Sequence, residues 1–130
     1  MSCVASHAGL MALAFSASGA LAERNLSISP AAQCAAFWLG YGDYARASTH
    51  LAVDPMDETR AAAFRTVAYR LNTAERAEID AYIDAERPRM ATLMEAVIYV
   101  SDGPSRDVFE RLTKTCEDFG QDQPEIRKLS

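Results

Sequence analysis

The sequence predicts an all-α protein: a four-helix up-down bundle with a kinked third helix and one inter-helix disulfide. Three observations lead there. Alanine occurs 24 times in 130 residues and β-branched runs are absent, which favours helix over sheet. From Ser29 onward, apolar residues recur with the 3.6-residue period, and strict alternation never persists. The junctions between these stretches are short cap-and-proline or Asp-Gly-Pro signals, and short loops join antiparallel neighbours.

The chain opens on a different kind of segment. Residues 1–22 carry no Asp, Glu, Lys or Arg; Ala8 to Phe15 is apolar, and small residues follow through Ala22. Ala20-Leu21-Ala22 matches the small-x-small cleavage pattern, and polar sequence begins at Glu23, so residues 1–22 are expected to be a signal peptide. The absence of Lys and Arg before the apolar run departs from that pattern. The stretch from Ala8 to Ala22 is too short to span a bilayer comfortably. This organisation predicts a bundle domain over 23–120, a loosely held polar tail over 121–130, and a periplasmic or secreted location. No stable membrane span is expected after cleavage.

Ser29 is placed to cap the first helix, with Pro30 at its first position. Its apolar stripe is Cys34, Phe37, Trp38, Tyr41 and Ala45, while Asp43 and Arg46 face away. Asp54-Pro55 repeats the start signal, and Asp57 and Glu58 suit the positive end of the second helix. The second stripe runs Ala61, Phe64, Val67, Ala68 and Leu71, closed by Asn72, with Thr73 as the next cap. The third helix is expected from about Ala74 to Val100, with Ile79, Tyr82, Ile83, Met90, Leu93, Met94, Val97 and Val100 on its inward face. Pro88 interrupts it, yet the stripe keeps its phase across the proline, which implies a kink rather than a break. The fourth helix follows Gly103-Pro104, turns Val108, Phe109, Leu112, Cys116 and Phe119 inward, and stops at Gly120.

Cysteine arithmetic fits the same picture. The three cysteines are Cys3, Cys34 and Cys116, and cleavage after Ala22 leaves one pair for an oxidising compartment. Cys34 lies near the start of the first helix and Cys116 near the end of the fourth, both on inward faces. Antiparallel packing brings these ends together. A loop of this length makes the crosslink worth roughly 4.5 kcal/mol in the loop-entropy model.

Composition narrows the function. Eighteen acidic residues against 13 basic give a net charge of −5 without a dense basic run, which argues against nucleic acid as a partner. The mature chain has one histidine and no CxxC, HExxH or CxxCH, so neither a metal nor a cofactor is expected. Cys34 with His50 is the only Cys/His pairing left for nucleophilic catalysis, and the disulfide competes with it. FWLGYGDY, residues 37–44, sets Trp38 and Tyr41 beside Gly40 and Gly42; aromatics beside glycines suit a small-molecule pocket, although the core stripe also explains the aromatics. Glu86 falls within the apolar stripe of the third helix. It is either a buried carboxylate of use to a ligand or the partner of Arg87 or Arg89.

Thr115-Cys116-Glu117-Asp118-Phe119 resembles a short stretch of acid-stress periplasmic chaperones, which are also small, helical and single-disulfide. The likeness covers five residues, lies at the other end of the chain and comes without that family's lysine-rich character. It implies a holdase that opens in acid as one alternative. The primary expectation is an exported binding or interaction module of the bacterial-type periplasm, with an unknown protein or small-molecule partner, rather than an enzyme. The second is a small-molecule-binding protein or enzyme whose pocket involves Trp38, Gly40, Tyr41, Gly42 and Glu86.

Overall fold

In a computed structural model of the chain, the described residues are 29–130; the expected signal peptide, its cleavage site and Cys3 lie outside them. Five helices follow one another: α1 (Ala31–Ala47), α2 (Met56–Leu71), α3 (Arg76–Ile98), α4 (Gly103–Gln121) and the short α5 (Pro124–Arg127). Among the described residues there is no strand, so the all-α expectation is met by four long helices. The first two start alike. Ser29 Oγ accepts from the Ala31 N–H at 3.2 Å and Asp54 Oδ1 from the Met56 N–H at 2.9 Å, each reaching across a proline that has no N–H to satisfy.

Helix α1 is the centre of the bundle. It packs chiefly against α3 and α2, and Ala31, Ala32, Ala35 and Ala36 are as inaccessible as Cys34 and Phe37. The single stripe expected from the sequence therefore gives way, in its first half, to burial on several faces, as suits a helix enclosed by its neighbours. The closest approach is at Gly40. A Cβ there would stand 2.5 Å from Met90 Cβ, 2.6 Å from the Arg87 carbonyl oxygen and 2.7 Å from the Ala91 nitrogen. Helix α3 runs unbroken through Pro88 at this crossing. A clamp beside it joins the same two helices: Arg87 donates to both oxygens of Asp43, at 2.6 and 2.7 Å.

The disulfide joins Cys34 to Cys116, with 5.6 Å between their Cα atoms. Phe37 meets Phe109 at 5.7 Å between ring centroids. Advancing along α1 thus means retreating along α4, the antiparallel relation expected of the first and last long helices. Helices α2 and α3 are clasped by the Tyr69 hydroxyl, which donates to Asp80, and by Arg65, 3.5 Å from the same carboxylate.

Four boundaries differ from the sequence reading. Helix α3 begins at Arg76 with Glu75 as its cap, and Thr73 makes no capping bond. It ends at Ile98 because the chain turns out through Ser101, whose φ of 58° places it in the left-handed region. Val100, expected inside, is consequently exposed, as is Tyr99. Gly120 does not stop α4, which continues to Gln121. Its missing Cβ instead admits Ile126 and Phe64, whose nearest atoms would lie 3.0 and 3.3 Å from such a carbon. The segment after Gln121, expected to be loosely held, folds back: Arg70 donates to both oxygens of Glu125, at 2.8 and 3.0 Å, and to Gln123 at 2.7 Å.

Candidate functional site

A cleft of about 800 Å³ opens between α1, the start of α2 and the end of α4. One wall is aromatic, formed by Trp38 and Tyr41 of α1. Asp54, Asp57, Arg60 and Phe64 supply the second, and Cys116, Glu117 and Gly120 of α4 the third. Ile126, Arg127 and Leu129 of the folded-back segment complete it. The Cys34–Cys116 staple and the docking of Ile126 onto Gly120 therefore shape the cleft as well as the core.

Arg60 organises the polar groups. Its guanidinium lies 4.9 Å over the Trp38 ring, a cation–π placement. One of its nitrogens donates to Asp54 Oδ2 at 3.0 Å and to Asp57 Oδ1 at 3.2 Å. Asp57 is only 2% exposed, and its other oxygen, Oδ2, is buried without a hydrogen-bond partner among the described residues. Among the same residues Trp38 Nε1 is likewise buried and unpaired. Each such group costs about 1–3 kcal/mol relative to a paired one, and unsatisfied polar atoms concentrate where structure serves something other than stability.

The electrostatics follow from this burial. Loss of hydration pushes the Asp57 carboxyl above its ordinary range, the neighbouring Asp54 pushes it further, and Arg60 and Arg46 only partly offset them. Asp54 moves the other way, held down by the Met56 N–H and by Arg60. The Tyr41 hydroxyl is raised by burial and then by the charges of Asp57 and Asp54.

Of the residues singled out in the sequence, the structure brings Trp38 and Tyr41 into this cleft but not Gly40, Gly42 or Glu86. Gly40 serves the α1–α3 crossing. Gly42 faces the start of α2, where an added Cβ would come within 3.6 Å of Asp57 Cβ. Glu86 pairs with Arg89 at 2.7 Å. Cys34 is consumed by the disulfide, and His50 lies beyond the far end of α1 with its ring 5.5 Å from that of Tyr99. Sequence reasoning missed Asp54, Asp57 and Arg60 as site residues. Asp54-Pro55 and Asp57 carried a helix-start signal that accounted for both acids, and nothing local marks Arg60 as their partner.

Among the described residues, no group of three or more His, Cys, Asp or Glu side chains is placed to hold a metal ion, and no helix is long and apolar enough to cross a membrane. Comparison of the chain with family models, curated proteins and solved structures finds no match in any of the three.

Proposed function

We propose that this chain is an exported binding protein, cleaved after Ala22, that takes a small organic ligand into the cleft beside Trp38 and Tyr41. The observation that carries the reading is the convergence of an aromatic wall, a buried carboxylate and a guanidinium on one concavity, the usual make-up of a small-molecule site. A ligand site takes precedence over a protein-docking face because the large exposed apolar side chains, Val53, Leu71, Tyr99, Val100 and Val108, are spread over four segments, with only Tyr99 and Val100 adjacent. Export is supported by the charge-free start of the sequence and by the disulfide, which belongs to oxidising compartments.

The test is mass spectrometry of the protein isolated from its native host. The intact mass should place Glu23 at the N-terminus with the two remaining cysteines oxidised, and gentle ionisation should retain a small molecule that Trp38→Ala releases. Met1 or Ser2 at the N-terminus of most of the soluble protein contradicts export. A bound molecule that survives Trp38→Ala contradicts the cleft.

A further inference from the structure

We propose that the ligand is an organic monocation, an ammonium or guanidinium carried on an apolar body, and that Arg60 occupies its seat in the unliganded protein. The inference rests on the cleft being the ligand site. Beside the aromatic wall stand two carboxylates, Asp54 and Asp57, and one guanidinium, Arg60, so this part of the lining carries one more acid than base; Arg46, whose charge also reaches Asp57, is already paired with Asp43 and Glu58. The outlying charges of the cleft, Glu117 and Arg127, offset each other.

Asp57 supplies the second, independent observation. It is almost wholly buried, it lines the cleft, and its Oδ2 has no donor among the described residues. Carboxylates beside Trp and Tyr faces recognise a cation through both charge and ring quadrupole. Arg60 already displays that recognition, stacked over Trp38 and bonded to both acids. Its side chain is one-third exposed, so it has a route outward when a ligand cation takes its place. An anionic ligand fits badly here. It would have to draw Arg60 away from two carboxylates and would then face them both.

Displacement gives the proposal an unusual sign. Removing Arg60 should strengthen ligand binding, because the seat and both acids become free. Removing a carboxylate should weaken it. Asp54→Asn is the cleaner acid variant, since its amide oxygen can still accept from the Met56 N–H and keep the start of α2.

The test titrates the oxidised protein with phenethylammonium, phenylethanol and benzoate, read by calorimetry and by emission of Trp38, the single tryptophan of the chain. Phenethylammonium should bind saturably and change the emission. Asp54→Asn should weaken it about tenfold, and Arg60→Gln should tighten it several-fold, with helical circular dichroism retained in both. Benzoate or phenylethanol binding as tightly as the ammonium overturns the cationic class while leaving the cleft reading intact. Weaker ammonium binding by a folded Arg60→Gln protein overturns the displacement. Failure of phenethylammonium to bind overturns the cationic class, while the cleft reading is decided separately by whether Trp38→Ala releases the molecule retained from the native host.

Discussion

A carboxylate taken out of water must replace its hydration with donors and cations, and among the described residues the Asp57 side chain has only Arg60 within hydrogen-bond reach, on one of its two oxygens. Burial raises its folded pKa above the unfolded value. The stability associated with this group is therefore complete below the unfolded pKa and is lost as pH rises through the folded one. Asp57→Asn, neutral throughout, should gain stability relative to the parent as pH rises above the ordinary Asp value of about 3.9, seen as a thermal-midpoint difference that grows with pH; a difference that shrinks contradicts the assignment. Asp43 has the opposite sign. The hydrogen bonds from Arg87 lower its pKa, so its contribution is present above the unfolded carboxylate value and fades as pH falls through the folded one. Gly40 gives a second residue-scale prediction. Gly40→Ala favours helix by about 1 kcal/mol, but the new methyl meets the α3 backbone at under 3 Å. Overpacking of this kind costs about 1–3 kcal/mol, so chemical denaturation should show a net loss. An unchanged or raised midpoint would show that α1 and α3 can separate freely there.

At the scale of elements, the apolar periodicity was sufficient to locate all four long helices and most of their inward residues, because burial repeats every turn. It could not mark where the chain leaves a helix against that periodicity. The stripe of α3 points onward to Val100, yet the exit is made by Ser101 in a conformation that suits glycine. Ser101→Gly should therefore stabilise the fold by up to about 1 kcal/mol, raising the midpoint by a few degrees; a fall would mean that the serine side chain contributes more than its backbone strain. Gly120 was open to misreading for a related reason. A glycine near a helix end suggests a stop, whereas here it makes room for Ile126 of α5. The docking of α5 was not legible in a polar stretch, since it depends on Arg70, more than 50 residues away, meeting Glu125.

Over the whole molecule, the disulfide was legible because helix position and helix end agreed for Cys34 and Cys116. The cleft was only half legible. Trp38 and Tyr41 announce themselves as aromatics in a glycine-bearing stretch, but Asp57 becomes a site residue only once α1 covers the start of α2. Cys116 stands in the cleft wall, so the bridge touches both scaffold and site. In the proposed function the bridge belongs to the scaffold and the activity is binding. The most direct test is the double variant Cys34→Ala with Cys116→Ala, followed by thermal unfolding and by phenethylammonium binding at low temperature. Loss of the bridge should cost about 2–5 kcal/mol and lower the midpoint by roughly 10–20 °C, while the folded fraction binds with affinity within about twofold of the parent. A double variant that unfolds at the parent's temperature yet no longer binds the probe that the parent binds would contradict the account and place Cys34 and Cys116 in the chemistry.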